Sequence, residues 1–366
     1  MSAAAAAERR LIAKSAADLL DGLGGMVRAR RLRDAWPQFD AGAWRAMAGA
    51  GWPGSLVPED QGGAGLAPDG VCALLEAAGG RLAPEPLAAC IATGLALARS
   101  ATPRAVALLQ GLLRGERIVV PAASADGAWP GEPGIDIVRS SKGIRLSGLV
   151  PRVPDANGAS DFLLGLEVEQ DFVLLHLEAS DPALELQASS TVDGGSLGAL
   201  HLDGLIADPE HTLLSGAPAR TAVAALADAL ALGRAAQLVG VMDEALRITV
   251  QYLKTREQFG RPIGSFQALQ HRAASAHIDT AASRSLLYEA CKAFGTAKQR
   301  RAAAAAIARA CAAALRVTQD CVQLHGAIGF ADECDIGLFL RRAMALAGAA
   351  GGEIGNRKRY AEAVCG

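Results

Sequence analysis

Arg256 lies near the end of a long stretch with helical apolar spacing; beyond it come Phe259, a chain reversal at Gly260 and Pro262, and Gln267. A guanidinium is a planar, permanently charged fork suited to a pyrophosphate. The Phe259 ring and the Gln267 amide sit on the far side of the reversal, so both can approach the same ligand. A solvated cation at a helix end would use the same residue, and position alone leaves that alternative open. A second candidate is Gln323-Leu324-His325-Gly326-Ala327, where a helical pattern stops at a glycine. Such a turn lets backbone N–H groups approach an anion, although glycines that end helices are common. The seven cysteines fall at unrelated intervals with no CxxC and no Cys/His pair at metal spacing, which predicts buried thiols and no metal site.

The elements that must carry these residues change texture along the chain. Residues 1–117 are rich in Ala and Leu with helical spacing and read as an N-terminal helical domain. Residues 118–215 break into short runs such as GIRLSGLV and DFVLLHLE separated by turn residues, the pattern of a middle antiparallel β domain. Residues 216–366 carry long stretches with apolar residues at i, i+3, i+4 and i+7, expected to pack as a C-terminal bundle of long antiparallel helices. The fold class is therefore α+β. A length of 366 residues calls for more than one core. A net charge of -2 provides no field to recruit nucleic acid or an anionic membrane. No uninterrupted apolar run reaches the roughly 20 residues that span a bilayer. Charges at Glu8, Arg9, Arg10 and Lys14 interrupt the N-terminal small residues, so the expected location is the cytoplasm.

Three strings carry a resemblance to the acyl-CoA dehydrogenase family. Gly51-Trp52 followed by Val57-Pro58-Glu59-Asp60-Gln61-Gly62-Gly63 resembles a phrase of its first domain. Arg256 to Ile263 (REQFGRPI), leading into Phe266-Gln267 and Gln270-His271, resembles its most diagnostic stretch. Gln323 to Phe330 (QLHGAIGF) resembles its glycine turn, with Arg341 at the following Arg. The resemblance covers nearly the whole chain. It implies the helix, sheet and four-helix-bundle fold, α,β-desaturation of an acyl-CoA thioester, and FAD as cofactor. It further implies electron-transfer flavoprotein as the electron acceptor. By the same resemblance Arg256, Phe259, Gln267 and Gln323, Leu324, His325, Gly326 and Ala327 form a clamp for an FAD held mainly by a neighbouring subunit. Asp228 matches an Asp that contacts the pantetheine arm of the substrate.

The departures are as informative. The family's reaction needs a Glu to take the α-proton while hydride leaves the β-carbon. A gapless count from Arg341 puts Ala350 at that position, and the alternative base position of some members falls on Leu230, beside Ala231. The loop and strand that cover the flavin ring are also altered: PAASADGAWPGEPG replaces the loop, and Arg152-Val153-Pro154 replaces a Trp-Ile-Thr strand, while Ser160-Asp161 echoes a later pair. Trp129 reads as a loop anchor. The expected role is the base-less subunit of a heterotetramer, completing the FAD site of a catalytic homologue and resembling the α2β2 enzymes that act on bulky or steroid CoA thioesters. A homotetramer using a displaced carboxylate such as Glu353 or Asp228, and a flavin-free acyl-CoA-binding or structural protein, are the alternatives.

Overall fold

The computed structural model describes residues 3–35, 39–122, 134–141 and 143–365. These fall into two compact units, each discontinuous in sequence. Helices α1 (Ala3–Gly22), α2 (Gly25–Arg33), α3 (Ala41–Gly49), α4 (Pro68–Gly80), α5 (Leu87–Leu97) and α6 (Pro103–Leu113) come first. Strands β1 (Val119–Pro121), β2 (Ile135–Ser140), β3 (Gly143–Pro154), β4 (Asp161–Val168), β5 (Asp171–Glu178), β6 (Leu184–Ser190), β7 (Ser196–Ala207) and β8 (Thr212–Ser215) follow. The rest comprises α7 (Gly216–Thr255), the two-residue strands β9 (Glu257–Gln258) and β10 (Arg261–Pro262), then α8 (Gln267–Lys292), α9 (Gln299–His325), α10 (Ile336–Ala349) and α11 (Gly352–Cys365).

One unit, residues 34–67 and 84–230, holds the two four-stranded sheets. Their orders are β1-β4-β5-β8 and β2-β3-β7-β6. Neighbours are antiparallel except β1 and β4, which run parallel. Strand β4 is buried at seven of its eight positions, as a central strand covered on both faces must be. Two helices here start where short polar side chains replace lost backbone partners: Asp40 accepts from the Gly42 and Ala43 N–H groups, and Thr102 caps α6 with Pro103 at its first turn. In the Val57–Gly63 string the glycines serve the turn. Gly62 has φ 86, and a Cβ at Gly63 would stand 2.1 Å from the Val57 carbonyl.

The other unit, residues 1–33, 68–83 and 231–366, is helical. Its α4 and α7 cross with backbones in contact. A Cβ at Gly240 would meet the Glu76 carbonyl at 1.9 Å, and one at Gly79 the Gln237 carbonyl at 2.1 Å. Glu76 and Arg284 join α4 to α8 by a 2.8 Å ion pair, and the Cys72 and Cys291 thiols lie 3.5 Å apart. Five of the seven cysteines are buried, but Cys334 is half-buried and Cys365 exposed, because they lie in a loop and at the end of α11. Helix α7 is long and apolar enough by composition to cross a bilayer, yet 78% of its most apolar stretch is buried inside the protein, which makes it a core helix. The fourth member of the bundle is broken into α10 and α11 at Ala350-Gly351, where Gly351 and Gly352 take φ 81 and 66.

Candidate cofactor-clamping site

Helix α7 ends at Thr255, so Arg256 begins the chain reversal with its side chain exposed. The Ile263 N–H donates back to the Arg256 carbonyl at 2.8 Å, closing the loop. Gln258 pairs with Arg261 across β9 and β10, so Phe259 and Gly260 form a two-residue turn, and both have positive φ, 55 and 74. Glycine takes that conformation freely, whereas a phenylalanine is strained in it. The Phe259 ring is 91% exposed, touched edge-on by Phe266 at 6.2 Å, while Arg261 lies over the Phe266 face at 4.2 Å. Gln267 opens α8 with its side chain exposed. The Gln270 amide donates to the Gly264 carbonyl at 2.9 Å and fastens this helix start to the reversal.

The second string ends α9. Gln323, Gly326 and Ala327 are exposed, with Gly326 at φ 68, whereas Leu324 and His325 turn inward. These two can present only backbone to a ligand at the surface. His325 stacks on Tyr252 with ring centroids 4.5 Å apart, and its Nδ1 lies 2.8 Å from the Cys321 carbonyl, which only accepts. Burial lowers the His325 pKa, partly offset by that hydrogen bond. The stack joins the end of α7, four residues before Arg256, to the end of α9, one residue before Gly326. Neither Tyr252 nor the inward turn of His325 was singled out in the sequence, although Tyr252 lies one helical turn before Arg256. Beyond the turn, Phe330 is 78% exposed, and Asp332 and Asp335 anchor the chain to Arg33 and Arg30 of α2 at 2.6 Å each. Arg341 stands 3.8 Å from Asp332.

At the expected base position, Ala350 caps the C-terminus of α10 and is 5% exposed. Leu230 and Ala231 are buried in α7. Glu353 lies in the first turn of α11, 42% exposed and 3.4 Å from Arg357. Asp228 is half-buried on α7 and has a polar partner of its own.

The segment that the resemblance aligns with the family's Trp-Ile-Thr strand is Arg152-Val153-Pro154 in β3. Arg152 is exposed with φ 54, Val153 and Pro154 are buried, and the register with β7 slips between Val150 and Val153. Residues 123–133 of the altered loop, with Trp129, lie outside the described residues. Asp161 is fully buried and takes part in a polar network: Arg117 donates at 2.6 Å, Ser160 at 2.7 Å, and His176 Nε2 lies at 2.7 Å. Arg104 in turn lies 3.0 Å from His176 Nδ1 and from Glu178. Burial alone would raise the Asp161 pKa, but its bonds to His176 and Ser160 and the Arg117 charge outweigh it and leave the carboxyl below its usual range. The network ties β4 to β5 and to α6.

The residues present fit half of an FAD site. A free guanidinium-bearing turn, an exposed ring, exposed amides and a left-handed glycine suit an anionic, partly aromatic ligand, while Arg152-Val153-Pro154 supply neither hydroxyl nor indole for an isoalloxazine.

The family model for the acyl-CoA dehydrogenase C-terminal domain matches residues 222–364. The acyl-CoA dehydrogenase FadE27 of Mycobacterium tuberculosis is 31% identical over 339 residues, covering 88% of this chain and 87% of that protein. Among solved structures, the Tcur3481-Tcur3483 steroid ACAD G363A variant is 31% identical with TM-score 0.87 and covers 98% of each chain. The ChsE4-ChsE5 complex of M. tuberculosis is 28% identical with TM-score 0.89, covering 98% of this chain and 97% of that one. Sequence and architecture agree from end to end: this chain belongs to the acyl-CoA dehydrogenase family, FAD-dependent oxidoreductases that act on CH–CH bonds.

Proposed function

We infer that this chain is the non-catalytic subunit of a cytoplasmic heteromeric acyl-CoA dehydrogenase, completing the FAD site of a catalytic homologue. The observation that carries this reading is the coexistence of an exposed clamp, Arg256, Phe259 and Gln267, with a buried Ala350 where the α-proton acceptor belongs. An alanine cannot take a proton, and Glu353 is turned to Arg357 at 3.4 Å. FAD, when bound, accepts the hydride that leaves the β-carbon. This chain's part is to bind and orient: Arg256 would neutralise a pyrophosphate, Gln267 and Gln323 would donate or accept at the cofactor's polar edge, and Phe259 would cover apolar or aromatic surface. Asp228 is assigned to the pantetheine arm of an acyl-CoA, and electron-transfer flavoprotein to the reoxidation of the flavin. The two similar structures named above are both named as pairs of chains, one of them a steroid ACAD, which supports a heteromer and a bulky thioester substrate.

The test is co-purification. Produced with a homologue that carries a Glu at the base position, this chain should give a yellow complex with about one FAD per two chains, read from flavin absorbance against protein. Produced alone, it should be colourless. A yellow preparation of the lone chain that desaturates an acyl-CoA would overturn the assignment.

A further inference from the structure

The turn that ends α9 is held at both of its ends. At the near end it lies against its own helix: the Gly326 N–H donates to the Gln323 carbonyl, and a Cβ at Gly329 would stand 2.5 Å from the Val322 carbonyl. At the far end it is gripped from α2, which lies 299 residues away in sequence. Arg30 and Arg33 are three apart on α2 and so share a face, while Leu32 between them is buried and seats the helix. Arg33 meets Asp332 with two nitrogens, Nη1 to Oδ1 at 2.6 Å and Nη2 to Oδ2 at 3.0 Å. Arg30 donates to the Asp332 carbonyl and, from Nη2, to the Asp335 carboxylate at 2.6 Å. Arg341 adds a third positive charge 3.8 Å from Asp332. The hydrogen bond from Arg33, with the charges around it, holds the Asp332 carboxyl below its usual range. Isolated exposed ion pairs contribute little, but a two-pronged fork inside a network is the exception, and it supplies geometry as well as energy. The Arg33 side chain is 13% exposed, which shields this fork from salt better than a surface pair.

We propose that Arg30 and Arg33 are positioning residues for the cofactor clamp: from α2 they fix the far end of the Gly326–Phe330 turn, so that its backbone is presented to the cofactor in one arrangement. This rests on the reading of Gln323 to Ala327 as part of the FAD clamp. A turn entered through a left-handed glycine has other conformations open to it unless its exit is also held, and Asp332 is that exit. A donor set already in place binds an anion without first having to be ordered. Neither arginine belongs to the clamp itself; both act through the chain at Asp332 and Asp335.

The test uses R33Q, R33K, R30Q and D332A, each in the lone full chain and in the complex with the catalytic homologue. In the lone chain, amide hydrogen exchange across 326–331 should accelerate about tenfold in R33Q and D332A, with the urea midpoint near that of the wild type. R33K keeps the charge but not the fork and should behave as R33Q does; R30Q should have a smaller effect of the same sign. In the complex, R33Q and D332A should release FAD about tenfold faster than the wild type. Unchanged exchange in both R33Q and D332A would overturn the proposal. Faster exchange with unchanged FAD release would overturn it too, because the anchor would then serve the turn and not the clamp. A merely structural role predicts a lower midpoint and faster exchange throughout α9 and α10, and that result would also count against it. If the wild-type complex holds no flavin, the subunit assignment fails instead, and exchange in the lone chain still decides whether α2 fixes the turn.

Discussion

At the scale of residues, two buried groups contribute to how the protein answers to acid. Asp161 has its carboxyl held low, so its contribution to stability is fully present above the unfolded value near 3.9 and is lost as pH falls through the lower folded value. Asp161→Asn leaves Arg117 and His176 facing a neutral amide and is expected to cost about 3 kcal/mol by urea unfolding at pH 7. His325 has its pKa lowered by burial. Below about pH 6.5 the unfolded chain takes up a proton that the folded chain refuses, so stability falls as pH drops through that value. His325→Gln should flatten the unfolding midpoint between pH 7 and pH 5. Residues for the proposed clamp can be nominated from sequence because motif spacing survives there. Side-chain direction cannot, and Leu324 and His325 turn inward because the last turn of α9 packs them against the core, a matter of helical phase relative to neighbours that spacing alone does not reveal.

At the scale of elements, the crossing of α4 and α7 depends on Gly79 and Gly240. A methyl at Gly240 would sit 1.9 Å from a carbonyl of the facing helix, and backbone cannot yield as a flexible side chain can. Gly240→Ala is expected to lower stability by about 3 kcal/mol, at the upper end of overpacking costs, measurable as a lower unfolding midpoint. The sequence made the helix, sheet and helix order readable through a change of period from 3.6 to 2 and back. Two things escaped it. The parallel pairing of β1 with β4 joins segments about 40 residues apart in a three-residue strand too short to show a pattern. Helix α8 buries a narrow seam, Ala276, Thr280, Ser283, Leu287 and Ala290, spaced by four and three. That is a thinner stripe than a fully packed bundle helix needs.

At the scale of the whole molecule, clamp and core are separable. Arg256 makes its hydrogen bonds to the rest of the chain through its backbone, so Arg256→Leu should leave the lone chain's unfolding midpoint within about 0.5 kcal/mol of the wild type. The same substitution should lower flavin retention in the co-produced complex at least tenfold, by absorbance after gel filtration. The strained turn at Phe259 carries the same separation further. Its backbone conformation costs about 1–2 kcal/mol that glycine would not, and its ring, 91% exposed, meets Phe266 in a single edge-on contact. Selection for heat resistance of the isolated chain would therefore discard the aromatic at 259, enriching variants that are better monomers and worse partners.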